Sequence, residues 1–397
     1  MTDAFKVNTL YRGMHCGYWM LSAIGQGYCT YYLAHLGFSA SEIGLFNAVF
    51  STLAALLQPA VGRLADRSQR FNWQRLMLIL ALCCEIVVFL VIADLNRVLT
   101  ALCYCSVMLI FNLMMPLVNV ASFSYPQLPY AIDFGIGRGL GSLFYALLCL
   151  LLAALLPISG DIVLPLTAIV CATLVIICTA LMPKPQREGE GPNASAASCP
   201  FIKLPFKYPA FFVMVGCSLL LMSFHNMFST FLLQIVRRAG GEDEAIGYAL
   251  GLAGFTEIPV LFLISRLAAR FGSGTLLVVA GLSYILRGVL FLLADHMVIL
   301  YLAQFMQFAT FALYAGAVVY FSDECMEPED KTTGQAFMSM TFAAGMVLGN
   351  LAGGYLIDYL GVPAMLWAGI GMSALGAALA ALAVMMLKRV RQRVQAV

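Results

Sequence analysis

Four charged side chains stand inside long apolar stretches: Glu85, Arg138, Glu257 and Arg287. A charge at the centre of a membrane helix costs about 2.5–3.5 kcal/mol on insertion scales, so such groups are expected to face a cavity or a partner. Glu257, followed by Pro259, is the best placed proton carrier of the four. Apolar surroundings disfavour an ionised carboxyl and a nearby cation favours it, so a carboxyl that meets both in turn can load and release a proton. Arg287 could be that cation; a permanent Glu257–Arg287 ion pair is the plainer alternative, and both readings stand. Arg138 could offer a forked pair of hydrogen bonds to a carboxylate or to hydroxyls, or it could snorkel to the membrane edge. His225, with Asn226, Ser229 and Thr230 beside it, could relay protons or bind a solute. It could equally be a hydrogen-bonded contact between helices. Glu85 reads as structural.

Weaker polar groups recur every three or four residues, as a lining face requires. One stripe is His15, Trp19, Ser22 and Gln26; others are Asn47, Ser51 and Gln58, then Asn112 and Asn119, then Gln304, Gln307, Phe308, Phe311 and Tyr314. Such residues also join helices to one another. Tyr145 could stack on a ring or simply pack. Other chemistries lack their residues. There is no HExxH and no paired nucleophile and base, so no catalytic site is expected. The glycine-rich stretches Gly135–Gly141 and Gly345–Gly354 lack the Lys-Ser/Thr of a phosphate loop and read as close-packing surfaces. The twelve cysteines form no CxxC and have no histidine at ligand spacing, so they read as packing residues, with no metal or cofactor.

The elements that must hold these groups are helices in lipid. The chain is 62% hydrophobic and 11% charged, against roughly 25% charged in soluble domains. Its net charge of +2 gives no reason to expect nucleic acid. Runs of about 20 apolar residues mark membrane helices. Twelve are expected, near 10–34, 43–62, 75–93, 98–123, 137–157, 161–182, 208–234, 246–266, 274–293, 297–321, 332–356 and 362–387. The Pro-, Gly- and Ser-rich stretch 183–207 reads as a linker between an N-terminal bundle, 1–182, and a C-terminal bundle, 208–397. RLADR at Arg63–Arg67 and RLAAR at Arg266–Arg270 end the second span of each half, which points to an internal repeat. The expected fold is an all-α membrane protein of two pseudo-symmetric six-helix bundles. Lys and Arg crowd the segments on the N-terminal side of the membrane, whereas the opposite loops hold only Arg97, Arg237 and Arg238. Both termini are therefore expected in the cytoplasm, with the chain in a cell (inner) membrane and no cleaved leader.

GRLADR, Gly62–Arg67, resembles the signature loop of the major facilitator superfamily. The second span, SEIGLFNAVFSTLAALLQPAVGRLADR, and the fifth, DFGIGRGLGSLFYAL, are similar to segments of the lactose permease branch and its nucleoside–proton symporter relatives. TEIPVLFL, Thr256–Leu263, looks like the phenylpropionate permease-like group. The resemblance covers essentially the whole chain. It implies a monomeric secondary transporter of a small organic solute, probing alternately the two sides of the membrane and driven by protons. It places Arg138 and Tyr145 on the solute and Arg287 in a proton-coupling network. With the stripes, the solute set becomes Arg138, Tyr145, Asn119, Trp19, Gln26, Asn226, Gln304 and Gln307, and the coupling set Glu257, Arg287 and His225. Gly62, Asp66 and Arg67 would form a cytoplasmic gate. The sequence also departs from the lactose permease: Asn119 is the nearest polar residue to an acidic sugar ligand, and Gln307 and Thr310 stand where a histidine and a glutamate would be. Proton coupling must then use other groups. The solute is expected to be an aromatic or sugar acid, a sugar or a nucleoside; an efflux antiporter or a non-transporting sensor on the same fold is the alternative.

Overall fold

The computed structural model describes residues 2–67, 72–93, 95–121, 124–125, 132, 134–184, 204–327 and 330–395. All regular structure among them is helical. In chain order the helices are α1 (Thr2–Ser22), α2 (Cys29–His35), α3 (Ala40–Arg67), α4 (Trp73–Ile92), α5 (Arg97–Ala121), α6 (Phe134–Ser159) and α7 (Val163–Leu181). Then follow α8 (Leu204–Lys207), α9 (Pro209–Thr230), α10 (Leu232–Arg238), α11 (Ala245–Phe271), α12 (Ser273–Leu292), α13 (Met297–Phe305), α14 (Phe311–Cys325), α15 (Lys331–Leu360) and α16 (Val362–Gln395). Most of the expected linker, residues 185–203, lies outside the described residues.

Among the described residues, eleven segments are long and apolar enough to cross a membrane. The twelfth span, the first in the chain, is divided among α1, a π-helical turn at Ala23–Gly27 and α2. The fold is the twelve-helix membrane fold the sequence implies. Two further spans are interrupted: α9 gives way to α10 at Phe231, and α13 to α14 through a 3₁₀ turn at Met306–Phe308. The joins at the ends of long helices are abrupt. Gly272 alone separates α11 from α12, and Gly361 alone separates α15 from α16. Both have φ above +80°, the conformation that ends a helix at low cost only for glycine.

Two compact units emerge. The first comprises Met1–Gly191 with Glu242–Phe255, and the second Pro192–Gly241 with Thr256–Val397. In the first unit α1 packs on α5, α6 and α7, while α4 packs on α5 and α7. Within it, Gly247 and Gly251 of α11 lie on α6, where an added Cβ would come within 2.5 Å of the Cys149 carbonyl and 3.1 Å of the Ala146 carbonyl respectively. In the second unit α9 packs on α15 and α16. Gly345, Gly349 and Gly353 of α15 bring its backbone onto α9; a Cβ at Gly349 would lie 2.3 Å from the Ser223 carbonyl. This four-residue spacing is the small-residue seam that lets membrane helices approach closely.

Each unit wears its large apolar residues outside. Leu82, Ile86 and Phe89 of α4 are exposed, and so are Leu351 and Tyr355 of α15. Polar groups point inwards: His15, Asn47 and Ser51 are buried in the first unit, and Asn226, Arg287, Gln304 and Gln307 in the second. A soluble protein could not keep this distribution, whereas lipid removes the penalty for an apolar exterior. Glu85 is half-buried and accepts a 2.7 Å hydrogen bond from Thr173.

Candidate functional site

In the second unit two of the four charged groups, Glu257 and Arg287, are brought into one network. Arg287, on α12, is 1% exposed. Its Nη1 donates to the Gln307 side-chain carbonyl and, at 2.9 Å, to the Thr310 hydroxyl; its Nη2 donates to the Gln304 side-chain carbonyl. The guanidinium carbon lies 4.4 Å from the Phe228 ring centroid and 5.5 Å from that of Phe291. Among the described residues no carboxylate forms an ion pair with it. The Gln307 amide nitrogen instead donates to Glu257 Oε1 at 2.7 Å. Glu257 and Arg287 are thus joined through an amide, not in the direct pair the sequence offered as one reading.

Gln307 and Thr310 occupy the interruption between α13 and α14. A broken membrane helix frees backbone groups that need new partners. Here the Met306 carbonyl keeps bonds from the Ala309 and Thr310 N–H groups, both at 3.0 Å, and the Thr310 hydroxyl also donates to it at 2.9 Å while accepting from Arg287. His225 is buried on α9. Its Nδ1 is 3.1 Å from the Tyr284 hydroxyl, and its ring stacks on Phe311 at 4.5 Å. Asn226 is buried and donates to the Met222 carbonyl.

The first unit carries its own cluster. The Arg138 guanidinium lies over the Trp19 ring, 3.7 Å from its centroid, and donates to the Ser142 hydroxyl. Tyr18 stacks on Phe111 at 4.5 Å, and His15 Nε2 is 2.9 Å from the Tyr11 hydroxyl. The glycines around Arg138 explain how α6 comes so near. A Cβ on Gly141 would meet Trp19 Cδ1 at 2.3 Å, and one on Gly137 would meet Tyr11 at 2.8 Å. Tyr145 is half-buried on α6, with its hydroxyl beside Gly27 and its ring beside Gly254. Gln26 is half-buried in the π-helical turn, and Asn119 is exposed near the end of α5. Gly62 is half-buried with open space around it. Asp66 and Arg67 close α3, and their side chains lie outside the described residues.

Two polar clusters at helix ends escaped the sequence reading. His35, at the end of α2, lies between two aspartates of the first unit. Its Nδ1 is 2.9 Å from Asp161 and its Nε2 2.8 Å from Asp243. Burial pulls the His35 pKa down, but the hydrogen bonds and charges of Asp243 and Asp161 outweigh it and hold the pKa above its usual value. In the second unit Lys207 reaches Glu327 at 2.6 Å and the buried Asp330 at 2.9 Å, and the Tyr208 hydroxyl donates to Asp330 at 2.8 Å. Hydrogen bonds to Glu327, Tyr208 and Asp330 raise the Lys207 pKa. Partners separated by more than a hundred positions leave no local signal. The one hint was a histidine or acid placed just past an apolar run.

The geometry is that of membrane helices with buried polar groups and interrupted spans, which suits solute passage. The sequence profile described as "MFS_1 like family" matches residues 17–367. No curated protein matches the chain in sequence. Among solved structures, that of the nucleoside transporter NupG is similar over 98% of this chain and 100% of its own, with TM-score 0.76 and 16% identity. A bacterial homologue of the human lysosomal transporter Spinster, inward-facing and unoccupied, is similar over 97% and 95%, with TM-score 0.64 and 16% identity. At such identities the likeness is one of fold. The family match, spanning most of the chain, goes further: the protein belongs to the MFS_1-like family of the major facilitator superfamily, and it is a multi-pass membrane transporter rather than an enzyme.

Proposed function

We propose that the protein is a proton-coupled symporter of a small organic solute, working by alternating access. The observation that carries this reading is the Arg287–Gln307–Glu257 chain of hydrogen bonds, set at a broken membrane helix. A half-buried carboxyl beside a buried cation is a group whose charge changes with its surroundings. Glu257 is the proton carrier, Arg287 the cation that favours its release, and His225 their neighbour on α9. In the first unit Arg138, held over the Trp19 ring, is the main solute contact, with Tyr145, Gln26 and Asn119; in the second unit the candidates are Asn226 and Gln304. A guanidinium favours an acceptor-rich partner, so an aromatic or sugar acid leads, ahead of a neutral sugar or a nucleoside. NupG is a nucleoside transporter by name, which keeps nucleosides in the screen. The distribution of Lys and Arg supports an inner membrane with both termini cytoplasmic. On that topology Gly62, Asp66 and Arg67 form a cytoplasmic gate, the bundles divide at the 183–207 linker, and the monomer is the working unit.

The test is proton movement in vesicles holding the purified protein, screened with aromatic acids, sugar acids, sugars and nucleosides, beside Glu257→Gln. The expected result is that one class alkalinises the medium and that the variant loses this response. If solutes bind or exchange without moving protons, the protein is a uniporter, an antiporter or a sensor, and the coupling assignment is wrong.

A further inference from the structure

Arg287 is a buried cation whose hydrogen-bond acceptors are all neutral: two side-chain amides and one hydroxyl. Such a burial is unfavourable unless a counter-charge lies near. The nearest carboxylate in the network is Glu257, and the group between them is Gln307. The orientation of that amide follows from chemistry. A guanidinium has donors only, so the amide must turn its carbonyl to Arg287 and its NH₂ to Glu257. An NH₂ facing a carboxylate suits the ionised acid. Once Glu257 binds a proton, its new O–H needs an acceptor, and the amide carbonyl is already engaged.

We propose that Gln307 is the positioning residue of proton coupling: its side-chain amide joins Glu257 to Arg287 across the break between α13 and α14, and turns over when Glu257 takes up a proton. The proposal rests on the coupling reading above and assigns it a moving part. The proton adds to a carboxylate oxygen, and no other covalent bond changes. The amide then rotates about its terminal bond, and its carbonyl accepts the Glu257 O–H. Its NH₂ now faces Arg287, donor against donor. The guanidinium keeps Gln304 and Thr310 but loses one acceptor, and it must shift towards them. Thr310 is the last residue of the turn that leads into α14, with φ −98° and ψ −94°, outside the helical region. A side-chain event is therefore transferred to a hinge in the backbone, where an uninterrupted helix would resist it. Release of the proton reverses each step.

Three other titratable groups among the described residues interact with this network. Tyr284, on α12, feels the charge of both Arg287 and Glu257. His225, on α9, faces Arg287 and touches Tyr284. Tyr314, on α14, interacts with Tyr284. None of the three interposes between Gln307 and Glu257, which are in direct contact at 2.7 Å.

The experiment follows the carboxylic-acid band of Glu257 by infrared spectroscopy of the full-length protein in lipid nanodiscs, across a pH titration. Glu257→Gln identifies the band by difference. In Gln307→Met the carboxylate has lost the bond donated by the amide, so the acid band should persist to a pH higher by about one unit or more. Gln307→Asn keeps an amide but is one methylene too short to bridge, and should give the same shift even if the methionine variant fails to fold. Gln304→Met also removes an amide from Arg287 without touching Glu257, and should leave the band where the wild type has it. A band that titrates in wild type and at the same pH in both Gln307 variants overturns the relay while sparing proton coupling. Equal shifts in the Gln304 and Gln307 variants also overturn it, since the effect then belongs to Arg287 alone. A wild type with no titrating Glu257 band sinks the coupling reading itself, and the relay with it.

Discussion

Gly141→Ala probes whether the α1–α6 contact holds the Arg138 site. The added methyl would sit 2.3 Å from Trp19 Cδ1, 2.9 Å from Cγ and 3.3 Å from Cβ. Ordinary carbon contacts lie near 3.5–4.0 Å, so the worst overlap exceeds an ångström. Because the base of the side chain is crowded too, a small tilt of the indole cannot clear it. Either α1 and α6 part, or Trp19 leaves its rotamer. Overpacking of this kind costs roughly 1–3 kcal/mol. A displaced Trp19 also forfeits the guanidinium 3.7 Å from its ring, worth about 0.5–2 kcal/mol. Better helix propensity returns about 0.5–1 kcal/mol, which leaves a net loss of about 0.5–4.5 kcal/mol, with its centre at about 2.5 kcal/mol. At about 2–4 °C per kcal/mol for a unit of this size, that central loss should lower the melting midpoint by roughly 5–10 °C. A thiol-reactive dye reads this well, because Cys149, Cys171 and Cys178 are buried and free. Gly371→Ala is the control, since nothing lies within 4 Å of the added methyl; its midpoint should stay or rise slightly. If Gly141→Ala melts like wild type, the close approach of α6 to Trp19 is not what the structure describes.

Three further outcomes are expected. His35→Gln should lower the melting midpoint more at pH 6 than at pH 9. A raised histidine pKa contributes stability that is full below the ordinary value of 6.5 and lost as pH rises through the folded-state value, so a pH-independent difference would contradict the double aspartate contact. Asp330→Ala should lower the midpoint by more than Tyr208→Phe, because Asp330 is buried and takes bonds from both Lys207 and Tyr208; the same melting assay ranks them. Arg138→Lys should raise the KM for the transported solute at least tenfold, because an ammonium cannot lie flat on Trp19 and donate in a fork as well; uptake at rising solute concentration decides, and an unchanged KM removes Arg138 from the solute site.

The fold was legible because lipid imposes a length and a composition on every spanning helix. Ala40–Arg67 and Val362–Gln395 each contain their expected spans whole. What periodicity could not show is where a span breaks. The stretch 297–321 reads as one apolar run, yet it is α13, a 3₁₀ turn and α14. Hydropathy is blind to backbone hydrogen bonding, so the switch to a 3₁₀ turn at Met306–Phe308 leaves no trace in composition. The candidate site was legible in its members and not in its pairing. Arg287 and Glu257 stand out one at a time because each is costly in lipid. That an amide lies between them depends on how α11, α12 and the turn between α13 and α14 pack, and no spacing in the chain encodes that.

The interruptions and the polar residues have one physical origin. A continuous membrane helix satisfies every backbone group and needs no polar side chain. Once a helix is broken, freed carbonyls and N–H groups require partners at that depth, and polar residues become tolerable there. Gln26 lies in the π-helical turn at Ala23–Gly27, and Gln307 in the 3₁₀ turn at Met306–Phe308, with Thr310 just beyond it. His225 and Asn226 lie within the last two turns before the break at Phe231. A polar side chain placed at such a break is held by the backbone on one side and remains available to a solute or a charge on the other. The same break removes the stiffness that would keep the two parts of a span in line. A transporter needs both properties at one depth in the membrane, and an interrupted helix supplies them together. Filling the break, by substituting Thr310 with a residue that cannot accept from Arg287, should therefore disturb binding and motion at once, whereas a polar deletion in an unbroken helix such as α7 should disturb neither.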